Sequence, residues 1–152
     1  GVAMLDCALS GGPVAVEQGT LTLLVGGDVD VLERVRPVLG TYSAPILWVG
    51  DVGDGQKVKL LNNALFGAHV ALVAQIERTA TALGLDPSLV LPALHECSGD
   101  SFALATAVST GSAANLVEVA GRFIRKDVAV CTEVAAELGA DLGSVLTVAQ
   151  EV

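Results

Sequence analysis

Hydrophobic and polar positions follow two different rhythms along this chain. In the first fifty residues, short apolar runs are separated by glycine, proline and aspartate. Residues 3–9, AMLDCAL, closed by Ser10-Gly11-Gly12-Pro13, predict a buried strand running into a turn. Residues 19–25, GTLTLLV, carry β-branched side chains and partial alternation before Gly26-Gly27, which predicts a second strand. Asp28 or Asp30 can then cap a helix with Val31, Leu32, Val35 and Leu39 on its apolar side, ending at Gly40. Pro45 to Val49 reads as a third strand. Strand, strand, helix, strand is too little for a complete dinucleotide-binding sheet.

From residue 50 onward the rhythm is helical. A turn containing Gly53 and Gly55 leads into a long helix from about Gln56 to Leu83, stopped by Gly84, and Asp86-Pro87 starts the next. Within it the run ALFGAHVALVA, residues 64–74, is apolar almost all round, the pattern of a helix enclosed by other helices. Gly67 permits close helix packing, and His69 reads as a core histidine. Residues 87–96 form a short helix containing Pro92, and Ser98 and Ser101 read as loop and cap residues before a helix at 102–108. The last major helix is expected at about 116–138, with Gly139 as its stop and a final helix toward Val152. No internal repeat is present.

Polar groups sit at the mouth of this apolar segment. At about 100° per residue, Lys59, Asn63, Phe66 and Val70 share one narrow stripe, whereas Lys57 projects to nearly the opposite side. An ammonium group in such surroundings loses hydration, and its pKa is expected to fall toward the range where it exchanges a proton. That makes Lys59 a candidate general acid/base. On spacing alone the alternative stays open that Lys59 is a solvated lysine and the asparagines are local hydrogen-bonding groups.

Composition narrows the classes of function. With 52% hydrophobic and 16% charged residues, the 152-residue chain is expected to be compact. A formal charge of −9 without a basic cluster argues against nucleic acid or an anionic membrane surface as partner. Cys7, Cys97 and Cys131 are widely separated and lack metal-ligand spacing, so they read as reduced residues of a cytoplasmic protein, and no metal site is expected. No apolar run is long enough to cross a bilayer and no leader pattern opens the chain, so a soluble, non-secreted protein is expected. The G-x-G-x-x-G fingerprint is absent, since Gly50, Gly53 and Gly55 have the wrong spacing and precede the wrong element.

The pattern G-x-G-x-x-x-K-x-x-N-N, here Gly53, Gly55, Lys59, Asn62 and Asn63, resembles the catalytic segment of the beta-hydroxyacid dehydrogenase family. Three further motifs match in the same order: DCALSGG at Asp6 to Gly12, E-x-GTLTLLVGG at Glu17 to Gly27, and Lys126-Asp127. The resemblance implies a mostly α chain: residues 1–52 as the C-terminal tail of a Rossmann-like α/β domain, about three strands and one helix, and residues 53–152 as an all-α bundle for substrate binding and dimerisation, built on one long central helix. It implies an oxidoreductase that interconverts a small hydroxyacid and its semialdehyde or keto form. Lys59 would be the acid/base, Ser10, Gly11 and Gly12 would hold the substrate carboxylate, Asn63 would bind substrate, and Lys126 and Asp127 would lie at the rim or touch the cofactor. NAD or NADP would be bound mainly by an upstream region missing from this chain, and the protein would be a homodimer or homotetramer. Ala8 departs from the family's usual proline and Val119 from its frequent phenylalanine, the second of which bears on pocket shape. A rival reading is a non-catalytic helical dimerisation module derived from the same family.

Overall fold

The computed structural model describes residues 1–152. Two compact units are present, residues 1–61 and 62–152.

The first unit is built on a three-stranded sheet ordered β1-β2-β3, with β1 at Leu5–Ser10, β2 at Leu21–Gly27 and β3 at Ser43–Gly50. β1 pairs antiparallel to β2, and β2 pairs parallel to β3. The parallel pair is joined by helix α2, Val29–Leu39, as a parallel connection requires. Asp28 caps α2 by accepting hydrogen bonds from the backbone N–H groups of Asp30 (2.8 Å) and Val31 (3.2 Å). Central strand β2 is almost wholly buried, and its Leu23 and Val25 pack with Leu32 of α2 as a small core edged by Leu5, Cys7, Leu39 and Ile46.

The sequence does not predict a second helix in this unit, yet residues Gly12–Gln18 form α1, a seven-residue helix with no buried residue. Gly11 and Gly12 have positive φ, and Pro13 stands in the first turn, where its missing N–H costs nothing. Its apolar side chains Val14 and Val16 are exposed, so no apolar stripe marks it as a helix.

Helix α3, Asp54–Ala82, has 29 residues and a length of about 43 Å. Gly84, with φ +75°, follows it, as the sequence predicts. The second unit packs the rest of α3 with α4 (Pro87–His95), α5 (Phe102–Thr110), α6 (Ala113–Glu137) and α7 (Gly143–Ala149). Its core joins Val70 and Val73 to Leu91, Leu104, Leu116, Ile124, Val128 and Ala149. Phe66 and Phe102 stack at a tilt, with ring centroids 6.0 Å apart. Gly67 is where α3 meets α6 and α7: a Cβ there would lie 3.0 Å from Val128 Cγ2 and 3.3 Å from Ala149 Cβ. The predicted close approach at this glycine is therefore present.

Two expectations are corrected. Helix α6 begins at Ala113, three residues earlier than the apolar period suggests, because Ser112 caps it by accepting the Asn115 N–H at 3.1 Å. Helix α3 is enclosed on one side only. Leu61, Leu65, Leu72 and Ile76, which share an arc of about 60° opposite Lys59 and Val70, are all exposed. No single helix is long and apolar enough to cross a membrane.

Candidate functional site

The start of α3 is shaped by two carboxylates and the glycines that make room for them. Asp54 Oδ2 accepts the Asp51 N–H at 2.9 Å, and Asp54 Oδ1 meets Lys57 Nζ at 2.8 Å. Gly50, with φ +139°, lies against this carboxylate, and a Cβ there would collide with Asp54 Oδ2. The second carboxylate comes from near the start of β1. Asp6 Oδ2 accepts the N–H of Gln56, the third residue of α3, at 3.0 Å across fifty positions of sequence. This N–H is one of the helix-start donors without an intrahelical partner, and the carboxylate also meets the positive end of the helix dipole. A Cβ on Gly55 would stand 2.8 Å from Asp6 Oδ2 and would collide with the Leu24 carbonyl. One on Gly26 would collide with Asp6 Oδ1 and the Asp51 carbonyl. Asp6 Oδ1 itself is buried and has no hydrogen-bond partner.

These contacts decide what the glycine-rich turn can hold. The space that glycines open for phosphate in a dinucleotide fold is filled here by the side chains of Asp6 and Asp54, and their charge repels an anion. Phosphate is therefore disfavoured at Gly50 and Gly55, whereas a Cβ at Gly53 would meet open space.

The two lysines of this helix have different surroundings. Lys57 is exposed, and its hydrogen bond to Asp54 raises its pKa above the ordinary 10.5, with nearby carboxylate charges adding to the effect. It stays an ammonium. Lys59 is half-buried on the opposite side of α3. Asn63 follows one turn later on the same side, also half-buried, and its Oδ1 accepts a long hydrogen bond of 3.4 Å from Asn62 Nδ2. Further along this side stand Phe66 and the fully buried Val70.

Ser10 ends β1, half-buried, and Gly11 and Gly12 carry the chain into α1 with φ of +134° and +67°. Ala15 lies where a Cβ on Gly11 would be, so the tight β1–α1 junction requires glycine there. Lys126 and Asp127 contact each other on α6, Nζ to Oδ1 at 2.8 Å, with Lys126 well exposed. Ser10, Gly11, Gly12 and Lys59 belong to the first compact unit, and Asn63, Lys126 and Asp127 to the second.

Other features carry less chemistry. An open cleft of about 170 Å³ in the second unit is lined by Arg125, Val128, Ala129, Thr132, Ala149 and Gln150, none of them a predicted site residue. It is smaller than a usual ligand pocket. Burial pushes the Cys7 and Cys131 thiols up from their ordinary value, with Asp6 and Asp127 respectively adding to this, which leaves both as inert thiols. No group of three metal-ligating side chains is present.

Sequence reasoning assigned no role to Asp6, although it lies within one of the quoted motifs. The signal was a lone acid inside the apolar run AMLDCAL. Its partner, a backbone N–H fifty residues away, leaves no mark in composition or period.

Similarity to known proteins covers this whole region. Residues 53–152 match the family described as "NAD-binding of NADP-dependent 3-hydroxyisobutyrate dehydrogenase", and residues 1–50 match the "NAD binding domain of 6-phosphogluconate dehydrogenase". Among curated relatives, 2-(hydroxymethyl)glutarate dehydrogenase of Eubacterium barkeri is 36% identical over 104 residues, 68% of this chain and 35% of that protein. The 3-hydroxyisobutyrate dehydrogenase of Pseudomonas aeruginosa has the same identity and coverage. A solved structure of Mycobacterium tuberculosis 3-hydroxyisobutyrate dehydrogenase with L-serine superposes with a TM-score of 0.80 at 27% identity, covering 97% of this chain and 53% of that one. The chain thus spans about half of the solved relative, and its alignments cover about a third of the curated ones. With residues 1–50 and 53–152 each matched by a family of these enzymes, the chain belongs to the beta-hydroxyacid dehydrogenases, the family that includes 3-hydroxyisobutyrate dehydrogenase.

Proposed function

We propose that the protein is an NAD(P)-dependent oxidoreductase that interconverts a small beta-hydroxyacid and its semialdehyde or keto form, and that Lys59 is its general acid/base. The observation that carries this reading is that Lys59 and Asn63 stand four residues apart in one continuous helix, both half-buried, within the stretch that matches the dehydrogenase family. The names of the relatives support the substrate class.

In oxidation, Lys59 Nζ accepts the proton of the substrate hydroxyl, and in reduction it returns one. Asn63 holds the hydroxyl or the carboxylate side through its amide. Ser10, Gly11 and Gly12 grip the carboxylate through the serine hydroxyl and backbone N–H groups, so that the reacting carbon is fixed in orientation. Lys126 and Asp127 stand at the rim. The nicotinamide, when bound, supplies the hydride acceptor or donor, and its phosphates are held mainly by residues outside this chain. In this reading residues 1–52 close the cofactor-binding α/β domain and residues 53–152 form the substrate and dimerisation domain of a cytoplasmic homodimer or homotetramer.

A second reading, a helical dimerisation module without catalysis, is favoured by the exposed apolar stripe of α3 and by the turn that disfavours phosphate at Gly50 and Gly55. The test is Lys59→Ala in the full-length protein, assayed with 3-hydroxyisobutyrate and L-serine by nicotinamide absorbance. Turnover should fall by about 100- to 10,000-fold with the circular dichroism spectrum unchanged. Undiminished turnover would remove Lys59 from the mechanism, and a wild-type protein that dimerises but never turns over would leave the second reading standing.

A further inference from the structure

We infer that Asp6 is a positioning residue for Lys59, an inference that rests on the reading of Lys59 as the acid/base. Asp6 is the second residue of β1, directly opposite Gly26 of β2, so the sheet fixes where its carboxylate stands. From there Oδ2 takes the Gln56 N–H at 3.0 Å, and Lys59 follows Gln56 by three residues. A slip of one residue in the register of α3 against β1 would turn Lys59 by about 100° about the helix axis relative to that strand, whose end carries Ser10. The Asp6 bond prevents that slip, and it acts from outside the helix.

Two observations separate this arrangement from an ordinary helix cap. First, two backbone positions, Gly26 of β2 and Gly55 of α3, lie against the carboxylate, and neither admits a Cβ. The packing therefore holds the carboxylate in one place. Second, Oδ1 is buried without a partner. A cap needed only for stability is better made by a serine or asparagine of the turn itself, which leaves no charged oxygen unpaired. The structure instead brings the acceptor from β1, outside the helix whose second turn carries Lys59.

The experiment compares Asp6→Ala, Asp6→Asn and Gln56→Pro in the full-length protein. The last removes the donor N–H in the first helical turn, where proline is tolerated, and leaves the strand intact. Turnover with 3-hydroxyisobutyrate is measured beside the NMR resonance of the dimethylated Lys59 amine, assigned by its loss in Lys59→Arg. Asp6→Ala and Gln56→Pro should each lower kcat by about 100-fold, with KM within about threefold, and should shift the Lys59 resonance. Asp6→Asn keeps an acceptor for Gln56 and should restore most of kcat. An unmoved Lys59 resonance in both disruptive variants overturns the inference, as does a kcat that follows only the fraction of folded protein. If Lys59→Ala remains active while the Lys59 resonance still moves in Asp6→Ala, the acid/base assignment fails and the positioning stands. Should Asp6→Ala not fold, Gln56→Pro and Asp6→Asn decide the matter between them.

Discussion

Helices α3 and α6 each begin with a backbone N–H bonded to a carboxylate that arrives from another part of the chain. At α3 it is Asp6, from β1, on the Gln56 N–H at 3.0 Å; at α6 it is Glu77, from α3, on the Ala113 N–H at 2.9 Å. The surroundings differ. The start of α6 has a cap of its own in Ser112, and Asn115 Nδ2 adds a bond to the Thr110 carbonyl at 2.7 Å, so Glu77 is one tie among several. At α3 the local cap, Asp54, serves the preceding turn by taking the Asp51 N–H, and Asp6 alone holds the first helical turn from outside. The α6 arrangement is redundant, as suits a joint whose task is to fold. The α3 arrangement is singular and tightly walled, as suits a joint that must also aim a side chain.

The sharpest way to break the first joint without substituting Asp6 is Gly55→Ala. Its new methyl would collide with the Leu24 carbonyl, and backbone can yield there only by moving strand or helix. A loss of about 3 kcal/mol is expected, read from the denaturant midpoint. The redundant joint should break more gently. Glu77→Ala should lower stability by about 1–2 kcal/mol, and Glu77→Gln, which keeps an acceptor, by less than about 1 kcal/mol, by the same measurement.

A third carboxylate, Asp100, lies between α4 and α5 and bonds His95 Nδ1 at 2.7 Å on the surface. That hydrogen bond raises the His95 pKa above 6.5 and lowers that of Asp100 below 3.8. The imidazolium contribution is complete below pH 6.5 and is lost as pH rises through the higher folded value of His95. The carboxylate contribution is complete above pH 3.8 and is lost as pH falls through the lower folded value of Asp100. The melting temperatures of the wild type and Asp100→Asn should therefore differ most between these limits and converge at alkaline pH. Both groups are exposed, so this is the smallest effect of the three.

What was legible in the sequence follows from how far each cause reaches along the chain. Asp28 caps a helix two residues away and Gly84 ends one beside it, so both could be read directly. The shared side of Lys59 and Asn63 needed only the helical repeat. Helix α1 was hidden because none of its residues is buried, and Gly11-Gly12-Pro13 reads equally as a turn. The true start of α6 was missed because its second anchor, Glu77, lies 36 positions upstream. At Gly50 and Gly55 the pattern was visible but its reason was not: the glycines are the negative image of two carboxylates, one of them fifty residues away.

The three-stranded sheet has a consequence for handling the molecule. Strands β1 and β3 are both edges, and Leu9, Leu47 and Trp48 on them are exposed. In residues 1–152 taken alone such edges invite intermolecular strand pairing, opposed by the mutual repulsion of copies carrying a charge of −9. That repulsion vanishes near the isoelectric point of about 4.4. A preparation of residues 1–152 by itself is therefore expected to reach its solubility minimum in acidic buffer near that value.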